Sequence, residues 1–432
     1  MSELTVARLT RDIETEGLNT LDGYRGWGGY QALPKALQME PAEIEKWVSD
    51  SGLRGRGGAG FPTGRKWSLM PKGKKPRYLV ANFDESEPGT FKDRYLVERN
   101  PHLVLEGILI AARAVDADQS FIYVRGEYAE VQELVRRCVD EARAAGLVGE
   151  NILGSGWSQD VVVHGGAGAY ICGEENALLE SLNGNRGRPR PKPPYFPAVI
   201  GLYDAPTALN NVETLANVPL IIDHGVDWYR QYGTERSSGT RLLCGSGHVN
   251  RPGVFEVPQG IPMMSFINDL CGGMLDGQTL KAVQPGGSSS QFLTAAQCED
   301  TNLDAESIQQ HGSMAGSGAV IVIGESQCMV EYTARLADFY YRESCGKCTP
   351  CREGTFWLSR VVHRIERGGG RDEDIDLMVD VCNNIDGKSL CALGEAAAWP
   401  IRSSVQQFEA EYRAHVAAHG CPYKKAGAAA VA

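Results

Sequence analysis

The sequence predicts a three-part α/β protein: a largely parallel sheet with its helices, then a small α+β unit, then a helical bundle. Three observations carry this. Between about residues 77 and 224, strand-like runs (78–81, 121–125, 160–164) alternate with helical ones (102–115, 128–145, 174–182), the pattern of a parallel sheet wrapped by helices. Between about 233 and 325, short strands (241–245, 253–257, 281–284, 319–323) surround one helix near 263–270, punctuated by Gly, Pro and Ser turns. From 327 onward, helical stretches (327–341, 355–367, 372–385, 403–416) are separated by cysteine- or glycine-rich turns.

Ahead of these lies a segment that is irregular apart from one helix around 41–51 and a glycine-rich loop. The expected divisions are therefore 1–65, 66–232, 233–326 and 327–420, with a flexible tail over 421–432. A length of 432 residues suits about three domains. The net charge of −11 argues against a protein that binds nucleic acid by neutralising phosphates. The best apolar stretch, 103–115, contains Glu106 and Arg113 and is too short to span a bilayer. The N-terminus lacks the apolar core of a secretory signal, so a cytoplasmic location is expected. Structural disulfides are rare there, which makes the 12 cysteines core residues, metal ligands or redox groups.

The densest chemical signal is Cys345-Gly-Lys-Cys348-Thr-Pro-Cys351. Two-residue gaps let a tight loop turn three thiolates toward one centre, one short of the four that an iron–sulfur cube takes. Cys391, in the turn GKSLCALG at 387–394, is the best fourth ligand. Cys382 competes but falls mid-helix in an apolar pattern. A zinc site is the plainer alternative, although zinc ligands usually come as two separated C-x-x-C pairs. Lys347, Arg352 and Lys388 are basic neighbours able to offset a cluster's negative charge. The other eight cysteines (Cys138, Cys172, Cys244, Cys271, Cys298, Cys328, Cys382, Cys421) are singletons, for which core packing or a neutral surface place is the default.

Residues 52–67 read GLRGRGGAGFPTGRKW. Glycines let backbone N–H groups close on an anion, and a plain linker would not carry Arg54, Arg56, Phe61, Lys66 and Trp67. The loop matches neither the P-loop pattern nor G-x-G-x-x-G. Directly after the strand at 78–81 comes NFDESEPGT. Ligands of open α/β sheets gather at the carboxyl ends of strands. Carboxylates there accept from sugar hydroxyls or ring N–H groups. A solvated acidic turn is the alternative and, for such a run alone, the commoner outcome. A third glycine cluster, HGGAGAYICGEEN at 164–176, has Ile171 where the dinucleotide fingerprint needs glycine, yet leaves bare backbone for a flat ligand. The basic, proline-stiffened loop RGRPRPKPPYFP at 186–197 suits a dinucleotide, with cations for the diphosphate and a ring for adenine. Asn210-Asn211-Val-Glu213-Thr214 then leads into a helix with polar tips fit for phosphate or ribityl contacts.

Taken in order, these segments make the chain resemble the flavin- and NADH-binding (51-kDa-type) subunits of respiratory complex I, over about residues 30–419. The resemblance rests on GRGGAGFPTG, DESEPGTFKDR, GAGAYICGEE, NNVETLANVP and ESCGKCTPCREG, a set far more specific than any one of them. It implies a Rossmann-like domain holding FMN noncovalently, a ubiquitin-like (β-grasp) unit, and a C-terminal four-helix bundle. In that bundle Cys345, Cys348, Cys351 and Cys391 would bind a [4Fe–4S] cluster. By matching motifs, Gly55, Arg56, Gly57, Lys66, Asn82, Asp84, Glu85, Tyr170, Gly173, Glu174, Asn210, Asn211 and Thr214 fall to the FMN pocket. Phe61, Glu87, Glu175, Lys192 and the Tyr195/Phe196 pair fall to the NADH side. Two departures stand out. Tyr195-Phe196 replaces a single aromatic, leaving open which ring stacks on adenine, and Phe83 replaces a small residue, with the prospect of tightening or crowding the flavin pocket.

The resemblance implies oxidation of NADH with electrons passed toward quinone. A flavin links a hydride donor to one-electron iron–sulfur carriers, so the protein's task is to position two rings. Glu87 would orient a ring edge, and Glu175 would select NADH over NADPH by accepting from the ribose 2′-hydroxyl and repelling a 2′-phosphate. Implied partners are a thioredoxin-like [2Fe–2S] (24-kDa-type) subunit and a large iron–sulfur (75-kDa-type) subunit. The place would be a peripheral arm on the cytoplasmic face of the cell membrane. The nearest alternative is the diaphorase subunit of a soluble NAD-linked hydrogenase or formate dehydrogenase. Such subunits often carry extra ferredoxin-like domains, and this sequence has no further C-x-x-C-x-x-C run and no N-terminal cysteine set. A non-catalytic iron–sulfur or zinc scaffold, without flavin, is the third possibility.

Overall fold

The computed structural model describes residues 4–423. Strands β1 (Tyr78–Phe83), β2 (Gln119–Val124), β3 (Asp160–Gly165) and β4 (Thr207–Asn211) form a wholly parallel sheet in the order β3-β2-β1-β4. The first three match expectation, while β4 was hidden in an Ala-Leu-Asn-Asn stretch with little strand signal. Parallel strands need crossovers, supplied here by helices Pro101–Ala114, Ala129–Ala144 and Glu175–Leu182. The chain builds outward from β1 to β3, then returns to lay β4 on the other side of β1. That reversal opens a crevice at the carboxyl ends of β1 and β4.

The helix Pro101–Ala114 has Pro at its first turn and Asn100 as cap, whose side chain accepts from Leu103 N. It is apolar nearly all round because it lies between the sheet and a second helical layer. That layer includes Ala32–Gln38 and Pro41–Asp50, while Val212–His224 lies beside Pro101–Ala114 and packs on β1 and β4. Residues 1–65 are therefore not irregular around a single helix. Leu21–Trp27 and Ala32–Gln38 are also helical, and Leu9, Tyr24, Leu33, Ile44 and Val48 share the core of the sheet. Gly23 and Gly26 mask the helix Leu21–Trp27 in the sequence. Glu106 stitches the layers together: buried in Pro101–Ala114, it accepts from Tyr24 Oη (2.6 Å), Tyr30 N (2.9 Å) and Leu33 N (2.9 Å).

Strands β5 (Thr240–Gly247), β6 (Gly253–Pro258), β7 (Leu280–Gln284), β8 (Leu293–Thr294) and β9 (Ala319–Gly324) form a second sheet in the order β6-β5-β9-β7-β8. β5 and β9 are parallel and the other pairs antiparallel. Met263, Phe266, Ile267 and Leu270, from the helical stretch behind β6, pack with Leu243, Val283 and Val322 of the sheet, as a β-grasp unit requires.

Among the described residues the C-terminal part holds the expected four-helix bundle, Met329–Glu343, Thr349–Glu366, Asp372–Ile385 and Leu393–Gln407, each packed on the next and the last on the first, with Glu409–Ala418 as a fifth helix against it. The stretch expected at 403–416 breaks at Phe408, and its first half reaches back through Pro400 to Leu393. Thr349–Glu366 starts six positions earlier than expected, so Cys348 caps it and Cys351 sits in its first turn. Of the expected flexible tail, residues 424–432 lie outside the described residues. Cys421 packs against the bundle core. Among the described residues, no helix is long and apolar enough to cross a membrane.

Candidate active site

The crevice left by the chain reversal gathers most of the expected residues. Ala81 pairs with Asn210 and Asn82 with Asn211 across β1 and β4. Asn82 Nδ2 donates to the Gly173 carbonyl (3.0 Å), and its Oδ1 accepts from Asp84 N (2.9 Å). Trp67 Nε1 donates to Asn210 Oδ1 (2.9 Å), and Arg56 N donates to Thr214 Oγ1 (2.8 Å). The glycine-rich loop, the 170–173 turn and the ends of both strands thus converge. A Cβ on Gly57 would sit 3.0 Å from Asn211 Cβ, and one on Gly173 would sit 3.4 Å from the Asp84 carbonyl, so bare backbone faces the crevice at both points. Asp84 Oδ2 is buried without a hydrogen-bond partner. Burial pushes this carboxyl up to about 8 despite Arg125 nearby. An orphaned buried oxygen beside bare glycine backbone fits a flat polar ring such as FMN.

Some expected residues are committed elsewhere. The buried Arg56 guanidinium donates to Tyr229 Oη, Ser238 O and Thr240 O, so only its backbone faces Thr214. Glu85 accepts from Asp93 N (2.7 Å) and Arg94 N (2.9 Å) at the start of helix Lys92–Arg99, and burial, then Asp93, raises its carboxyl to about 7. Glu174 caps Glu175–Leu182, accepting from Asn176 N and Ala177 N (both 2.9 Å). The prospect that Phe83 crowds the flavin is overturned. Side chains alternate along β1, and the Phe83 ring points into the helix-side core against Tyr128, opposite to Asn82 and Asp84.

The acidic run is therefore no solvated turn. Beneath it lies a buried charge cluster that motif matching passed over. Lys92 pairs with Asp93 (2.6 Å) and Glu213 (2.7 Å), and Asn211 Nδ2 donates to Asp93 (2.7 Å). The available signal was a Lys-Asp pair opening a helix just after three acids. Glu87 is half-buried with both oxygens engaged, accepting from Tyr170 Oη (2.6 Å), Ser289 N (2.7 Å) and Ser288 Oγ (3.2 Å). Ser288 Oγ also meets Tyr340 Oη (2.9 Å), so all three parts of the chain join at Glu87.

On the rim, Glu175 is held between Lys66 (3.1 Å) and Lys192 (2.6 Å), and Lys192 also reaches Glu174 (3.1 Å). Burial alone would push Glu175 up, but the two lysines bring its carboxyl below the usual range. The Phe61 and Phe196 rings are 42% and 50% exposed, whereas Arg190 covers the Tyr195 ring at 5.0 Å. A cavity of about 440 Å³ is lined by Gly55 and Arg56 of the glycine-rich loop together with Arg241 and Trp399.

Cys345, Cys348, Cys351 and Cys391 gather on one apolar patch with Tyr170, Ile171, Cys172 and Leu393. Burial, more than the neighbouring thiols, pushes Cys351 up to about 11 and Cys391 to about 12. Thiols so crowded and desolvated become thiolates only around a cationic centre, as an iron–sulfur cluster provides. Cys382 lies in a different core with Met378, Ile385 and Ile401. Lys347 donates to the Pro189 carbonyl (2.6 Å), tying the cysteine loop to the basic loop. The turn at 170–173 serves both places: the Gly173 carbonyl accepts from Asn82 at the crevice, and Tyr170 to Cys172 belong to the apolar patch that holds the thiols.

A ring-binding crevice and a four-thiol centre joined by one turn define a flavin- and iron–sulfur-bearing oxidoreductase component. Three family descriptions match in order: Nuo51 FMN-binding domain at residues 48–220, SLBB domain at 241–322, and NADH-ubiquinone oxidoreductase-F iron-sulfur binding region at 331–415. The chain is 52% identical to the F subunit of NADH-quinone oxidoreductase from Mycobacterium tuberculosis, over 97% of this chain and 94% of that one. It is 52% identical to the Streptomyces coelicolor counterpart over 94% and 90%. It belongs to the family of NADH-quinone oxidoreductase F subunits. Among solved structures, an NAD+-reducing [NiFe]-hydrogenase in the H2-reduced state is similar at TM-score 0.77 and 36% identity, covering 90% of this chain and 64% of that one.

Proposed function

We propose that this chain is the NADH-oxidising subunit of a respiratory NADH:quinone oxidoreductase. The observation that carries this is the single turn, 170–173, shared by the crevice and the four thiols. FMN, when bound, supplies a carrier that accepts a hydride from NADH and releases electrons singly. Gly57, Gly173, Asn82, Asp84, Asn211 and Thr214 would hold it, with Glu87 fixing Tyr170 behind them. Glu175, Lys192 and Phe61 would bind NADH, joined by Lys66, which was expected at the flavin but pairs with Glu175 on the rim. Phe196 is the better adenine platform, because its ring is open while Tyr195 is covered by Arg190. Functionally we divide the chain into an NADH- and FMN-binding part at 66–232, a β-grasp part at 233–326 and a cluster-bearing bundle at 327–420, with 1–65 backing the first and lending it Gly57 and Phe61 from the glycine-rich loop.

The chain works in a multi-subunit complex. We assign it a thioredoxin-like [2Fe–2S] subunit and a large iron–sulfur subunit as neighbours, in a peripheral arm on the cytoplasmic face. The hydrogenase likeness keeps a diaphorase role as the second reading, which the 52% identity to NADH-quinone oxidoreductase chains over nearly the whole length makes the weaker one.

The test is the anaerobically purified chain. Flavin absorbance near ~450 nm should bleach with NADH, and ferricyanide should be reduced. A protein with iron and no flavin overturns the proposal. Cys391→Ser should lose the four-iron EPR signal and Cys382→Ser should keep it; the reverse would reassign the fourth ligand.

A further inference from the structure

At the end of the bundle remote from the cysteine loop, four donor side chains meet. Cys328 caps Met329–Glu343, Glu366 closes Thr349–Glu366, and His415 lies in the last turn of Glu409–Ala418. Cys421 follows after a left-handed residue, His419. Cys328 Sγ lies 3.8 Å from Cys421 Sγ and 3.4 Å from His415 Nε2, and Nε2 lies 3.3 Å from Glu366 Oε2. All four donor atoms fall within 4.8 Å of one another. Three of the residues are buried and Cys421 is half-buried.

These separations have a simple meaning. A tetrahedral ion with bonds of about 2.3 Å to sulfur and about 2.0–2.1 Å to nitrogen or oxygen spans edges of roughly 3.8 Å between sulfurs and roughly 3.3–3.6 Å between the other donors. A thiol pair in contact would account for one edge. It would not bring an imidazole nitrogen and a carboxylate oxygen to the same point. His415 Nδ1 donates to the Glu411 carbonyl (2.7 Å), so in the neutral ring the lone pair is on Nε2, which points into the group, the arrangement that the hydrogen-bond partners of metal-bound histidines impose. The segment leading to Cys421 is seated closely: a Cβ on Gly368 would lie 2.1 Å from the His419 carbonyl oxygen.

We propose that Cys328, Glu366, His415 and Cys421 bind zinc, a second metal centre in this chain. Two thiolates, an imidazole and a carboxylate make a closed, borderline-soft set without an open position, which is the make-up of a structural site. The ion ties the start of one helix, the end of the next and the last helix to the segment beyond it. Met329–Glu343 has 15 residues, which at 1.5 Å per residue puts the ion about 20 Å from the cysteine loop, so it clamps the bundle and carries no electrons. Singleton cysteines at 328 and 421, the latter in an expected flexible tail, gave no spacing signal for such a site.

The test uses the full chain with its iron–sulfur cluster, purified without chelators or a metal-affinity tag. Metal analysis should find about one zinc beside about four iron per chain. Zinc-edge X-ray absorption should show two sulfur scatterers near ~2.3 Å and two lighter ones near ~2.0–2.2 Å. Cys421→Ser and His415→Ala should each lose most of the zinc to a competing chelator while keeping iron. If neither variant folds, the wild-type metal content and spectrum decide alone. Wild-type protein that takes up less than about one-tenth equivalent from zinc salt overturns the proposal. So does zinc with only nitrogen and oxygen ligands, or a Cys328–Cys421 disulfide in peptide maps.

Discussion

The acidic run after β1 and the acidic pair at the start of Glu175–Leu182 lie at the same edge of one sheet, yet they meet different fates. Asp84, Glu85 and Glu87 are enclosed, and burial pushes all three carboxyls up. Backbone N–H and hydroxyl donors fix Glu85 and Glu87, and the buried cation Lys92 lies beneath. Glu175 sits on the rim between Lys66 and Lys192, both on flexible stems, and its carboxyl is held below its usual range. Surroundings, not residue type, divide the labour. Enclosed acids are fixed by their donors, whereas the rim acid is held charged by two lysines, the place our proposal gives to ligand discrimination.

The most disruptive test of this contrast is Lys92→Met. It strips the buried Asp93 and Glu213 of their cation, and removing one partner of a buried pair costs about 3–5 kcal/mol. Denaturant unfolding should show that loss; a cost under about 1 kcal/mol would mean the enclosed acids are not held as a charged cluster. Asp84→Asn tests the same region through pH. The folded Asp84 carboxyl keeps its proton to about 8, against an ordinary value of 3.8. The folded chain therefore holds the extra proton between those values. Its stabilising effect is complete at low pH and is lost as pH rises through about 8. In flavin-free protein the Asn variant should flatten the fall in stability from pH 5 to 8 and gain more than about 1 kcal/mol at pH 8. An unaltered slope would assign the titration to the Glu85–Asp93 pair.

The layered architecture was legible wherever periodicity ran uninterrupted, as in β1 to β3 and Pro101–Ala114. It was lost where glycine or a polar tip diluted the pattern: Leu21–Trp27 contains two glycines, and β4 ends in Asn210-Asn211. The crevice residues were nameable from their motifs, because bare glycine backbone and strand-end amides are local features. What they do was not. Arg56 and Glu85 match the motifs as well as Asn82 does, yet they bond inward to Ser238, Thr240 and the start of Lys92–Arg99. Direction is set by neighbours about 180 positions away in one case and 8 in the other, and a motif carries neither. The group at Cys328 and His415 was invisible for the same reason, since its members come from four separate places.

Glu175→Gln has the smallest expected effect on the fold and is the finest probe of the rim. Lys66, Lys192, Glu174 and Glu175 balance in charge there. These pairs are about a quarter exposed and Glu174 still faces Lys192 after the change, so stability should change by no more than about 1 kcal/mol. Discrimination should change more. The amide still meets a ribose hydroxyl, but no longer repels a 2′-phosphate, and it leaves two lysines facing one remaining carboxylate. The preference for NADH over NADPH, taken as the ratio of kcat/KM values, should fall about fivefold or more, equivalent to roughly 1 kcal/mol. The change should appear mainly in the KM for NADPH, because on the proposed reading the residue would contact a part of the substrate remote from the reacting ring. A ratio that does not move, with stability intact, would show that the rim acid serves only to position Lys66 and Lys192, and that the cofactor's phosphate is read elsewhere.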